Sequence, residues 1–335
     1  MKKLVMLLTV LALAGCGGSD EGAGDTLTVY SGREEELVAP LFKRFDEETV
    51  IGVEVRYGDS AELAATIAEE GDNSPADVFF AQDPGSLGAV ESQLTELPDD
   101  VLEHVDRRFR DADGRWVGTS GRARVIVFNT DELSADDVPD SVFDLTDPKW
   151  KGKVGLPPTN ASFQAFVTAM RLDVGDERTK KWLEELKANE PKFYEKNTPT
   201  VEAVASGEIE LGLVNHYYLY LVKEEQPDAP IENKYLPGDD PGALISVAGA
   251  GIRDGAEHAD AAKRFVEFLL ADEQQRFYTD EAEEAEIPLV DGIAPRKGVP
   301  TLDELSGRGP DVDLSSFGKE LERTLELLNE TGYTS

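Results

Sequence analysis

The sequence predicts an α/β protein made of a hinged pair of lobes: two mixed sheets flanked by helices, with a ligand cleft between them. Three observations carry that expectation. Short apolar runs alternate with helical periods from residue 27 onward, the pattern of βαβ units and a mostly parallel sheet. The alternation resumes in the second half without any internal sequence repeat. An apolar stretch over 244–252 then precedes more helix, so the two sheets are joined by more than one crossover, an arrangement suited to hinge closure.

In chain order, a strand is expected over 27–30, a helix over about 34–48 and a strand over 53–57. A helix over 60–71 places Leu63 and Ile67, and Ala64 and Ala68, at helical spacing. Residues 77–81 read as a short buried strand and 86–93 as another helix. The second half offers strands near 124–128, 152–156 and 211–214, with helices near 163–172, 178–188 and 201–206. After 244–252 comes an amphipathic helix over about 256–278, with Ala261, Phe265, Phe268 and Leu269 on one face, and finally a helix over 314–329. In open α/β sheets ligands bind beyond the C-terminal strand ends, which here points to residues 31–34, to Gln82 and Asp83, and to the turn at 215–218.

The chain begins with Lys2, Lys3, an apolar run over 4–14 and LAGC at 13–16, the layout of an export signal ending at a cysteine. That run is too short to span a bilayer comfortably as a permanent helix. LAGC resembles the lipobox of bacterial lipoproteins, which implies cleavage before Cys16 and lipid attachment to it. Cys16 is the only cysteine in 335 residues, which leaves no disulfide or thiolate metal site elsewhere. Residues 17–25, rich in Gly, Asp and Glu, read as a flexible tether. The expectation is an extracytoplasmic protein held to the cell membrane, in the periplasm or on the outer surface, by a lipid.

With 68 acidic against 33 basic residues the formal charge is −35, which disfavours nucleic acid and anionic lipid headgroups as partners. The acid is dispersed, so it reads as a strongly hydrated surface suited to a saline habitat and is weak support for any one metal site. No GxSxG, Walker loop, HExxH or CxxC signature is present, and no enzyme is expected. The sharpest chemical feature is NHYYLY at 215–220, where Tyr217 and Tyr218 follow an apolar run and can aim two phenols into one cleft. Phenols titrate near pH 10, so the pair is a poor base, yet it can ligate a hard, strongly acidic cation such as Fe(III). The competing reading is an aromatic cluster at the start of a helix.

Seven stretches in order extend the pattern: LTVYSGR at 27–33, PADVFFAQD at 75–83, SGRARV at 120–125, PKWKGKVG at 148–155, KN at 196–197, NHYYLY at 215–220 and DDPGAL at 239–244. Together they resemble the ferric-iron-binding proteins of ABC importers, within the extracellular solute-binding family. The resemblance implies a two-lobed type 2 periplasmic-binding-protein fold. Lobe 1 would comprise 26–123 and 248–310, lobe 2 would comprise 124–247, and a C-terminal helix would occupy 311–335. It implies Tyr217 and Tyr218 as iron ligands, with Glu34 where one subgroup has histidine and Gln82 where it has glutamate. Two phenolates and the Glu34 carboxylate sum to −3, matching Fe(III); Phe163 stands where a three-tyrosine subgroup has its third.

The resemblance further implies a synergistic anion, phosphate, carbonate or citrate, at the loop Asn160, Ala161 and Ser162, with Asn197, Asn215 and Arg122 around it. The implied partner is an ABC importer permease, with the receptor a monomer. Two alternatives stay open: a receptor for a small organic solute such as a polyamine or aminophosphonate, and a surface hydrolase or adhesion lipoprotein.

Overall fold

The computed structural model describes residues 26–280, 285–305 and 309–334. Cys16, the export signal and the tether expected over 17–25 lie outside the described residues. The chain is a mixed α/β fold of two sheets that share one strand. In the first, β1 (Thr26–Ser31) lies parallel between β2 (Gly52–Tyr57) and β3 (Val78–Ala81). Beyond β3 come antiparallel β9 (Ile245–Ile252) and then β4 (Trp116–Asn129). A two-residue strand β10 (Ile287–Pro288) pairs with β4 at Gly121 and Ser120.

β4 is fourteen residues long and buried throughout, and it changes partner midway. Residues 116–123 pair with β9, whereas 124–128 pair with β7 (Leu211–Asn215) and 126–129 with β8 (Ile231–Lys234). β5 (Val154–Leu156) and β6 (Lys192–Phe193) continue the second sheet beyond β7. The strand expected over 124–128 is thus the second half of a longer one. Its first half was not legible because Gly118, Thr119, Ser120, Gly121 and Arg122 interrupt any apolar run, although all are buried.

Helices α1 (Glu35–Thr49), α2 (Ser60–Glu70), α3 (Pro84–Ala89) and α4 (Asp99–Leu102) serve the first sheet; α5 (Ala161–Val174), α6 (Asp176–Ala188), α7 (Asn197–Ala205) and α8 (Tyr218–Glu225) serve the second. The helix expected over 256–278 is two helices, α9 (Ala259–Leu270) and α10 (Asp272–Asp280). Ala271 between them is extended, at ψ 148°, and the break lets the buried Gln275 amide donate to the carbonyls of Thr119 and Leu269, both at 2.8 Å. The core under the first sheet is aromatic: Phe45 meets Phe265 edge-on at 5.1 Å and Phe268 at 5.3 Å, joining α1 to α9.

After the short α11 (Leu302–Leu305), α12 (Phe317–Glu330) packs against both α3 and α5, so it touches elements of each sheet. On one side Glu320 and Asp176 hold Arg171 at 3.0 and 2.8 Å, and Asp176 also holds Arg323 at 2.8 Å. On the other, a side chain at Gly318 would have its Cβ 2.6 Å from the Gly85 carbonyl oxygen and 2.7 Å from the Ala89 nitrogen. Both obstacles are backbone, so Gly318→Ala forces the helices apart. We expect a loss of about 2 kcal/mol and a melting temperature lower by about 5 °C, read by calorimetry.

Candidate functional site

The site begins where β7 ends. His216 turns the chain, Tyr217 caps α8 and Tyr218 opens it, a position that brings their rings to 4.3 Å between centroids at a 30° tilt. Tyr217 is 1 % exposed and Tyr218 half-buried. On the neighbouring strand Arg124 stands opposite Asn215 in register and is fully buried, its guanidinium over the rings of Phe163 and Phe166 at 5.6 and 5.4 Å. Burial drags its pKa down to about 9, opposed by the two neighbouring phenols of Tyr218 and Tyr217. Among the described residues no carboxylate pairs with it, and its Nε and Nη2 find no hydrogen-bond acceptor.

Arg124 also ties the tyrosines to a polar cluster. Its Nη1 donates to Asn215 Oδ1 at 3.1 Å and to Ser162 Oγ at 3.3 Å. Asn160 caps α5 by accepting from the Ser162 amide at 3.0 Å, and Ala161 is the exposed first residue of that helix. Asn197, fully buried at the start of α7, donates to Asn160 Oδ1 at 3.1 Å and Ser162 Oγ at 3.2 Å. The structure therefore gathers Asn160, Ser162, Asn197 and Asn215 around Arg124 at the N-termini of two helices, where positive dipole ends and a buried cation together favour an anion. Arg124 was not among the residues singled out in the sequence. Its signal was the alternation in SGRARV, which puts two arginines on one side of a buried strand.

Glu34 and Gln82 gather at the adjacent C-terminal ends of β1 and β3. Glu34 stands exposed before α1 without using its carboxylate as a cap. The Gln82 amide donates to Ser60 Oγ at 2.9 Å, its carbonyl accepts from Arg122, and its side-chain Oε1 is buried without a partner among the described residues. Arg122 belongs to this group: its Nε donates to Glu286 at 2.6 Å, and Arg33 grips the other oxygen of the same carboxylate at 3.0 Å. The two arginines hold the Glu286 pKa near 2 even though burial pushes it upward.

His216 is buried, its ring edge-on to that of Tyr217 at 5.8 Å, and both its nitrogens are committed to backbone groups. Its Nδ1 accepts the Ala123 amide at 3.2 Å and its Nε2–H donates to the Ala285 carbonyl at 3.0 Å, which fixes a neutral tautomer. Burial lowers its pKa to about 4. A histidine that folds only when neutral loses ground wherever the unfolded chain binds a proton. Stability of the metal-free protein should therefore fall from about pH 6.5 to about pH 4 by about 3 kcal/mol on this account, with nothing further lost below. Melting curves across that range should slope less in His216→Gln.

Among the described residues no three His, Cys, Asp or Glu side chains converge as a metal cluster. Two sheets sharing a strand, with polar groups collected at strand ends from both, define a two-lobed binding protein of the periplasmic type. The profile described as "Bacterial extracellular solute-binding protein" matches residues 73–296, and the chain belongs to that family. It is a binding protein and not an enzyme. The resemblance seen in the motifs holds at this level. The "Fe(3+)-binding periplasmic protein" of Serratia marcescens is 30% identical over 333 residues, 98% of this chain and 96% of that one. Iron-bound HitA from Pseudomonas aeruginosa superposes with a TM-score of 0.83 at 32% identity, covering 92% of this chain and 99% of that one. A Trichodesmium protein solved with iron and citrate superposes at 0.79 with 26% identity, covering 92% and 100%. Among the described residues no helix is long and apolar enough to cross a membrane.

Proposed function

We propose that the chain is an extracytoplasmic receptor that binds ferric iron together with a synergistic anion and delivers it to an ABC importer. The observation that carries this reading is the Tyr217–Tyr218 pair, its ring centroids 4.3 Å apart, beside a buried Arg124 that has no carboxylate partner among the described residues. A hard trivalent ion converts both phenols to phenolates, and oxygen donors suit it better than a soft metal. Glu34 completes a −3 set and Gln82 offers a neutral oxygen. Asn160, Ala161, Ser162, Asn197 and Asn215, with Arg122 behind Gln82, surround the anion's place, where Arg124 supplies charge-assisted donors. Relatives named for ferric iron, and one solved with iron and citrate, support both parts of the reading.

The lobes we assign are 26–123 with 248–310 and 124–247, with 311–335 as the C-terminal helix; the change of partner in β4 at 123–124 supports the first boundary. Closure of the lobes on the ion would then join Glu34 and Gln82 to the tyrosines. The receptor acts as a monomer anchored by lipid at Cys16, and its partner is the importer's permease.

Titrating metal-stripped protein with ferric nitrilotriacetate tests this reading. The expected result is a visible tyrosinate-to-iron charge-transfer band that saturates with a rise in melting temperature. Neither colour nor protection would overturn the ferric reading and leave an organic solute in its place.

A further inference from the structure

The dipeptide Ala285-Glu286 lies outside every residue group assigned above to the ion or the anion, yet contacts from both sheets converge on it. Both residues are fully buried. The Glu286 carboxylate binds Arg33 through one oxygen and Arg122 through the other, at 3.0 and 2.6 Å. Arg33 is the residue before Glu34, and its Nη1 also donates to Ser120 Oγ at 3.3 Å. Arg122 holds the backbone carbonyl of Gln82. From the second sheet, His216, the residue before Tyr217, donates to the Ala285 carbonyl at 3.0 Å. Ala285 adopts a left-handed backbone at φ 47°, uncommon outside glycine, and β10, which pairs with β4, begins directly after Glu286.

We infer that Ala285-Glu286 is the positioning element of the ion site, holding the segments that carry Glu34 and Gln82 to each other and to the start of the tyrosine turn, so that they meet the tyrosine pair in register when the lobes close; this rests on the ferric reading above. Each tie ends one residue from a donor or on its backbone: Arg33 for Glu34, Arg122 for Gln82, His216 for Tyr217. A two-point grip on a single carboxylate fixes both arginine-bearing segments relative to each other, since moving either one breaks a buried, charge-assisted pair with Glu286. The His216 tie adds the third fixed point, from the other sheet. A supporting shell of this kind governs metal affinity without touching the metal.

The test is a double-mutant cycle read in ferric affinity, by competition with citrate, and in the position of the charge-transfer band. Glu286→Gln should weaken iron about 10–100-fold and move the band. Glu34→Gln should weaken iron in the native background but add less than about threefold in the Glu286→Gln background, because Glu34 is already misplaced. Glu286→Gln leaves two buried arginines on a neutral amide; if that variant does not fold, Arg33→Met/Glu286→Gln restores the native net buried charge of the triad and takes its place. Effects of Glu286 and Glu34 that multiply independently, or a native band and affinity in the folded Glu286 variant, would overturn the positioning role. A colourless native protein would instead overturn the ferric reading itself, so the two failures are separable.

Discussion

Tyr217→Phe and Tyr218→Phe should each abolish the visible iron band or reduce it sharply, and the double variant should bind no ferric iron at concentrations that saturate the native protein. Each change deletes one oxygen and keeps the ring, so the 4.3 Å ring contact and the burial of Tyr217 survive. The metal-free fold is expected to lose no more than about 1.5 kcal/mol per hydroxyl. Loss of a direct anionic ligand should exceed the roughly 10–100-fold that a lost supporting partner costs a metal site. The contrast is clearest in thermal protection. With free chelate at about 1,000 times Kd, iron adds about 4 kcal/mol to native stability, and that increment should vanish in the double variant. An organic solute held by stacking would barely register the change, because phenylalanine stacks as tyrosine does. A double variant that still takes up iron tightly would remove the tyrosines from the site.

That the tyrosines were legible in the sequence, while Arg124 and Glu286 were not, has a physical cause. Tyr217 and Tyr218 are adjacent in sequence and at a strand-to-helix turn, so local reasoning brings their rings together. Asn160, Ser162, Asn197 and Asn215 came from the family resemblance, and the structure joins them through hydrogen bonds from residues up to 91 apart. Arg124 looked like one charge in an apolar strand. Only the crossover of β4 from one sheet to the other shows that it meets phenols and amides and, among the described residues, no carboxylate. Glu286 ends an acidic run at 281–286 that reads as surface, and that reading fails for Glu286, whose side chain is completely buried between Arg33 and Arg122, 253 and 164 residues away. The same limit explains the fold: β1, β2, β3 and β7 were visible as apolar runs, but half of β4 was hidden because buried glycines and hydroxyls pack close to neighbouring backbone there. A Cβ at Gly118 would lie 2.5 Å from the Phe109 carbonyl oxygen.

Arg124→Met should separate binding from stability, in the opposite sense to an ordinary core substitution. Arg124 is 2 % exposed and, among the described residues, carries its charge without a carboxylate partner and leaves Nε and Nη2 unbonded. Contacts with Phe163 and Phe166 offset only part of the cost of burying that cation. Methionine fills much of the same apolar space and removes the charge, so the metal-free protein should melt at the native temperature or above it. Binding should move the other way. Fe(III) with two phenolates and Glu34 is neutral, which leaves Arg124 as an unbalanced positive charge that a small anion at Asn160, Ser162, Asn197 and Asn215 can neutralise. Charge-assisted hydrogen bonds to that anion are worth about 1.5–3 kcal/mol, so iron affinity in saturating phosphate, carbonate or citrate should drop about 10–150-fold. Raising the anion concentration should tighten iron binding by the native protein and leave the variant nearly unchanged, as reciprocal linkage between ion and anion requires. A variant that unfolds at lower temperature while keeping the native anion dependence would show that Arg124 serves the fold alone, and the anion would then have to be held by the asparagine and serine side chains and the α5 amides.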